Sequence, residues 1–146
     1  MLRAPRRCQA RGVTQNVAIS AREQTVTWEY RLSARPESVA TARRHVRYAL
    51  AAHTETSALQ DIELVVSELV TNAVRHGPSG LITLRLVTDP DGNVSGEVVD
   101  QGDGVVAIRD RDPGTEGGLG LPIVDTLTTA WGVRPGSTHV WFRFDP

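Results

Sequence analysis

The chain has 146 residues and a formal net charge of −1 at pH 7, which predicts one folded domain with no bulk attraction to nucleic acid or acidic lipid. All 16 lysine-plus-arginine positions are arginine, which excludes a Schiff-base lysine and the phosphate-binding lysine of a Walker motif. Its single cysteine, Cys8, excludes an internal disulfide and a multi-cysteine metal site. No apolar run is long enough to span a bilayer, so we expect a cytoplasmic protein with no membrane partner.

The first residues of the chain differ in composition from the rest. Residues 1–22 carry five arginines and no acidic residue, without apolar periodicity. A secretory signal is not predicted, because the stretch lacks a hydrophobic segment. We expect a disordered Arg-rich tail over residues 1–24 and a folded domain over residues 25–146. An organellar transit peptide and a basic arm for an anionic partner are the alternatives for the tail.

A strand and a helix are predicted at the start of the folded domain. Alternating β-branched and aromatic residues indicate a strand over residues 25–32. Pro36 suits the first position of the following helix. The apolar face of that helix comprises Val39, Ala42, Val46, Ala49 and Leu50. Arg43, Arg44 and Arg47 fall on its other faces, where a solvated surface is the default interpretation.

The central feature is a helix predicted over residues 61–77. Its apolar stripe consists of Ile62, Val65, Val66, Leu69, Val70 and Ala73. Glu68 and Asn72 are four residues apart, so they stack on one edge of that stripe. Arg75 and His76 follow one turn later, and Gly77 ends the helix. Alone, this pattern favours side chains that are merely solvated.

The remaining elements define the fold class. Residues 81–87 and 94–99 are predicted as two strands of a hairpin around a turn at residues 89–93. A helix over residues 122–127 and a closing hairpin over residues 131–144 follow. Grouped helices and sequential strands predict an α+β two-layer sandwich, with helices on one face of a mixed, mostly antiparallel sheet.

A first glycine cluster follows the second strand of the predicted hairpin. Asp100 ends the strand, and Gly102 and Gly104 follow at alternate positions. This arrangement places a carboxylate beside bare backbone, where it could accept a hydrogen bond from the exocyclic amine of a planar ring. The alternative is an ordinary glycine-rich turn that contains an aspartate.

A second glycine cluster precedes the last predicted helix. Gly117, Gly118 and Gly120 run directly into the helix, where several backbone N–H groups can face one anion. The spacing matches neither a Walker nor a Rossmann motif, and no lysine accompanies it.

Together these features predict a nucleotide site. Asn72 offers an amide oxygen to Mg²⁺, while Arg75 and His76 can neutralise phosphate. The second glycine cluster can wrap a polyphosphate, and Asp100 can recognise the base. Glu68 is placed to orient or deprotonate a hydroxyl that attacks a γ-phosphate.

Four segments resemble the conserved boxes of one superfamily. Residues 68–76, Glu-Leu-Val-Thr-Asn-Ala-Val-Arg-His, resemble the N box of the Bergerat-fold (GHKL) ATP-binding domains shared by histidine kinases, gyrase and MutL. Residues 100–104 and 117–121 resemble the two glycine boxes, and residues 137–140 resemble a late strand that supports the adenine-binding aspartate. The resemblance covers roughly residues 26 to 144. Within the superfamily, the chain is similar to the anti-sigma-factor serine kinases.

The resemblance implies ATP and Mg²⁺ as ligands, with Glu68 as catalytic base and Asn72 as metal ligand. It implies nucleotide contacts from Asn72, Arg75, His76, Asp100, Gly102, Gly104, Gly117, Gly118, Leu119, Gly120, Leu121 and Thr138. The implied partners are an antagonist protein phosphorylated on serine and a sigma factor whose sequestration regulates transcription. A homodimer is compatible with the resemblance. No phosphoacceptor-histidine helix pair precedes the domain, so a complete histidine kinase is not expected.

Two other functions compete with the kinase. One is an ATP-gated regulatory module that binds a partner without phosphorylating it. The other is an interaction domain whose Arg-rich tail contacts nucleic acid, which the balanced net charge does not favour. Glu68 favours the kinase over the module, because general-base assistance is needed only for transfer.

Overall fold

The computed structural model describes residues 24–101, 120–134 and 139–146. In chain order, its elements are β1 (Val26–Ser33), α1 (Glu37–Leu50), α2 (Thr56–His76), β2 (Leu81–Thr88), β3 (Val94–Val99), α3 (Gly120–Leu127), β4 (Ala130–Val133) and β5 (Val140–Phe144). This is the order of strands and helices that the sequence predicts. Across the described ranges, none of the helices combines the length and the apolar character that crossing a membrane requires.

The five described strands form one sheet in the order β1-β2-β3-β5-β4. All four pairings are antiparallel, whereas the sequence predicted a mixed, mostly antiparallel sheet. Strand β2 pairs with β1 on one side and with β3 on the other, so that Leu84 lies opposite both Tyr30 and Val98. The predicted α+β two-layer sandwich is confirmed.

The core lies between the sheet and the helices. Side chains alternate along β2, so Ile82, Leu84 and Leu86 are fully buried while their neighbours are more exposed. The core residues of the other strands are Leu32, Val94, Val98 and Phe142. Helix α1 contributes Ala42, Val46, Ala49 and Leu50, as its apolar spacing predicts. Because each helix buries one face in the core, its other faces lie at the surface.

Helix α2 confirms the predicted central helix and extends it. It begins at Thr56 rather than at Asp61, since Leu59 packs against the core and donates its N–H to the Glu55 carbonyl at 2.8 Å. All six residues of the predicted stripe are buried: Ile62, Val65, Val66, Leu69, Val70 and Ala73. The helix is therefore held along its whole length by packing, which fixes the positions of the side chains at its edges.

A buried charge joins the two long helices. Glu63 on α2 is buried, and its carboxylate accepts two hydrogen bonds from Arg47 on α1, at 2.6 Å from Nε and 3.0 Å from Nη2. The Arg47 side chain is itself 60% exposed, so the default prediction of a solvated Arg47 holds, and its guanidinium also pairs with an acidic partner. Removal of Arg47 would leave the buried Glu63 carboxylate without a partner charge. The pair thus ties α1 to the middle of α2.

Two histidines on the first-helix side pack against aromatic rings of β1. His45 stacks on Tyr30 with ring centroids 3.9 Å apart and an interplanar angle of 14°. His53 meets Trp28 edge-on at 5.4 Å.

Acidification should destabilise the fold through His45. Burial, and then the charge of Arg44, lower the pKa of His45 below its ordinary value of 6.5. The folded chain therefore binds fewer protons there than the unfolded chain, so stability is complete above pH 6.5 and falls as pH drops through the lowered pKa. Burial raises the pKa of Tyr30, which stays neutral in this range.

The measurement is the melting temperature as a function of pH. We expect a steeper fall on the acid side for the natural chain than for His45→Phe, which keeps an aromatic ring on Tyr30 but cannot be protonated. Parallel curves for the two chains would contradict the assignment.

Candidate functional site

The edge of α2 carries the two most informative polar side chains. Glu68 and Asn72 lie one turn apart, and both are half-buried beside the buried Leu69 and Ala73. Among the described residues, neither side chain has a hydrogen bond or an ion pair. Partly desolvated polar groups are normally paired, so a carboxylate and a carboxamide left available on a rigid helix are suited to bind a ligand.

The last turn of α2 adds positive charge. Arg75 and His76 are exposed there, one turn beyond Asn72. Cations stabilise a helix C-terminus through its dipole, so part of their presence has a structural explanation. Their exposure also leaves both groups accessible to an anion.

The end of β3 meets the end of α2. Asp100 follows β3 directly, and a β-carbon added to Gly77 would lie 2.5 Å from its Oδ2 atom and 2.5 Å from the Ala73 carbonyl oxygen. The Asp100 carboxylate therefore lies against the bare Cα of the residue that caps α2. The structure brings Asp100 to the same end of the molecule as the predicted phosphate-binding residues.

The start of α3 approaches the same helix. Gly120 begins α3, which packs against α2. Leu121 is half-buried against the core cluster, and Val124 is fully buried one turn later. The end of the second glycine cluster thus lies at the N-terminus of a helix that is anchored next to α2.

Several predicted site residues lie outside the described residues. These are Gly102, Gly104, Gly117, Gly118, Leu119 and Thr138, together with residues 1–23 of the predicted tail. Their assigned roles stay predictions.

The described residues could bind a divalent cation only together with a ligand that supplies further oxygen atoms. Within those ranges, no group of three or more His, Cys, Asp or Glu side chains could hold a metal. Mg²⁺ commonly takes one or two protein oxygens and completes its shell with waters and phosphate oxygens. The available, half-buried amide oxygen of Asn72 fits that type of coordination.

The sequence prediction missed one participant, Gly77. It was assigned only as the end of the helix, whereas the structure places it against the candidate base-recognising carboxylate. The sequence did contain a signal that this connection has a further role. One glycine is enough to end a helix, yet Gly80 follows Gly77 three residues later.

Comparisons with known proteins agree with this geometry. Residues 32–144 match the family model described as histidine kinase-like ATPase domain. The chain is similar to the crystal structure of the RsbU and RsbW domains of Rv1364c from Mycobacterium tuberculosis, with a TM-score of 0.62 and 25% sequence identity. That alignment covers 82% of this chain and 31% of the other chain. No curated protein matches the chain.

Proposed function

The chain belongs to the family of histidine kinase-like ATPase domains, and from this premise we propose that it is an ATP-dependent protein serine kinase of the anti-sigma-factor type. Membership of the family implies ATP binding. The observation that supports transfer, beyond binding, is the half-buried Glu68 carboxylate, which lies one turn before Asn72 and has no bond to other described residues. A module that only binds nucleotide has no need of a base at that position.

In the proposed site, the end of α2 and the end of β3 bind opposite ends of the nucleotide. Asp100 accepts a hydrogen bond from the exocyclic amine of adenine, with Thr138 supporting the carboxylate. Asn72 holds Mg²⁺, and Arg75 and His76 neutralise phosphate charge. The two glycine boxes complete the nucleotide contacts through Gly102, Gly104, Gly117, Gly118, Leu119, Gly120 and Leu121.

The proposed reaction transfers a phosphoryl group to a serine of a partner protein. Glu68 accepts the proton of the seryl hydroxyl. At the same time the seryl oxygen bonds to the γ-phosphorus, and the bond from the γ-phosphorus to the bridging oxygen of ADP breaks. When bound, Mg²⁺ supplies neutralisation of phosphate charge. Because α2 is packed along its length, Glu68 and Asn72 keep a fixed separation, which favours catalysis by positioning.

The proposed partners follow from the resemblance of the boxes to anti-sigma-factor serine kinases. The substrate is an antagonist protein with an acceptor serine, and the free kinase sequesters a sigma factor in the cytoplasm. The ATP-binding domain spans residues 25–146 in this proposal, and a homodimer is the assembly to test. We propose neither a nucleic acid nor a membrane as partner.

The test begins with the purified full chain and Mg·ATP in a calorimeter. We expect heat of binding, followed by transfer of labelled γ-phosphate to a serine of a protein retained from the native host in the presence of ATP. Serine assignment by phosphosite mapping is the deciding measurement. Absence of binding heat would remove the proposal, whereas binding without transfer to any retained protein would favour the ATP-gated binding module.

A further inference from the structure

The connection between α2 and β2 is short and has a glycine at each end. Gly77 lies against Asp100, and a β-carbon on Gly80 would overlap the side-chain oxygen of Gln101. Gly80 has a φ of +132°, and its carbonyl accepts a hydrogen bond from Ala34 N at 2.9 Å. Asp100 and Gln101, the two residues that follow β3, therefore each lie directly against one glycine of this connection.

The register of the sheet explains the juxtaposition. Strands β2 and β3 are antiparallel, with Thr83 opposite Val99 at the end of the ladder. Residues that continue beyond Val99 therefore run beside the start of β2, next to the connection from α2. Asp100 reaches the end of α2 only because the residue at that point has no side chain.

We propose that Gly77 is a positioning residue that sets specificity for a purine with an exocyclic amine, by seating the carboxylate of Asp100. This inference rests on the proposed function, since it requires that Asp100 contact the base. The inference adds Gly77, at the end of α2, to the proposed base pocket. The contribution of Gly77 is that it has no β-carbon, which leaves room for the Asp100 carboxylate.

The effect of a side chain at position 77 would be steric. The φ of −84° and ψ of 169° at Gly77 are open to any residue, so alanine is compatible with these dihedral angles. Its β-carbon would meet the Ala73 carbonyl oxygen and Asp100 Oδ2, each at 2.5 Å. The contact with the carbonyl oxygen requires a shift at the helix end, and the contact with Oδ2 pushes the Asp100 carboxylate away from its seat. Hydrogen-bond energy falls steeply with such misalignment.

The experiment compares ATP with purine riboside triphosphate, which lacks the exocyclic amine. Calorimetry on the full chain gives both affinities for the natural protein, for Gly77→Ala and for Gly80→Ala. We expect the natural protein to prefer ATP by about tenfold or more, as a hydrogen bond to a charged group implies. Gly77→Ala should reduce the preference to within about threefold while binding of the analogue stays within about twofold.

Gly80→Ala is the matched control. It makes the same replacement in the same connection and strains the backbone at positive φ, but it displaces Gln101 rather than Asp100. We expect it to keep the preference for ATP. An equal loss of affinity for both nucleotides in Gly77→Ala, with the preference retained, would overturn the inference and leave the proposed function intact.

A second measurement covers the case in which Gly77→Ala folds poorly. Thermal unfolding is compared for Gly77→Ala, Asp100→Ala and the double variant. If the added methyl group acts through the Asp100 carboxylate, truncation of Asp100 restores the stability that Gly77→Ala loses. Additive losses would mean that the methyl group acts only on the helix end, and the inference fails. Failure of the natural chain to bind ATP would instead reject the proposed function, and this inference with it.

Discussion

Replacement of Asn72 by alanine should lower the affinity for Mg·ATP by about 100-fold or more. Mutation of even an outer-shell partner of a metal ligand typically lowers metal affinity by about 10–100-fold. In the proposed site, its amide oxygen is the protein ligand of Mg²⁺, and the metal links that oxygen to the phosphates. The side chain has no bond to other described residues, so its truncation removes no structural contact. Calorimetric titration with Mg·ATP measures the effect.

Thr71→Ala is the matched control for Asn72→Ala. Thr71 is the preceding residue, has the same half-buried environment and likewise makes no hydrogen bond to described residues, but it points from a different face of α2. We expect Thr71→Ala to bind Mg·ATP normally. The difference between the two variants should shrink when a chelator removes Mg²⁺. Normal affinity of Asn72→Ala would count against the whole proposed site.

Local periodicity was enough to predict the elements that position the site. The stripe from Ile62 to Ala73 repeats at helical spacing, and every member of it is buried, because one face of a long helix must cover the sheet. The alternation in β2 and the positive φ of Gly92 in the following turn were predictable for the same reason. These properties depend on residues that are close in the chain.

The remaining features depend on residues that are distant in the chain. Burial of Glu63 is tolerated only because Arg47 arrives from another helix, and no spacing within α2 indicates that partner. The insertion of β5 between β3 and β4 is likewise a long-range choice of pairing. The seat of Asp100 on Gly77 needs both the strand register and the helix end. The chemistry of the residue types, supported by the resemblance of the boxes, predicted that Asp100 and α2 would share one site.

Precision at the site comes from the same packing that stabilises the fold. Val65 and Leu69 are buried next to the edge that carries Glu68. The Arg47–Glu63 pair fixes the preceding turn of α2 against α1. A side chain supported in this way has little orientational freedom, which catalysis by positioning would require of the proposed base.

Replacement of Glu68 by glutamine should abolish phosphoryl transfer while nucleotide binding survives. The amide keeps the size and the half-buried position of the side chain, but it cannot accept a proton from the attacking hydroxyl. General-base assistance contributes about 10²–10⁴-fold, so we expect a fall of that size in the rate of serine phosphorylation. Single-turnover transfer of labelled phosphate measures the rate, and calorimetry measures the affinity for Mg·ATP.

The control for this variant is Asp61→Asn, which makes the same chemical change on the same edge of α2. Asp61 is half-buried, makes no bond to other described residues and precedes Glu68 by two helical turns, about 10 Å along the axis. At that distance the carboxylate cannot reach a hydroxyl poised at the γ-phosphate, so Asp61→Asn should transfer at the natural rate. Full transfer by Glu68→Gln would reject Glu68 as the base, because glutamine has no means of taking the proton. Equal slowing in both variants would indicate a general electrostatic effect of negative charge on the helix instead.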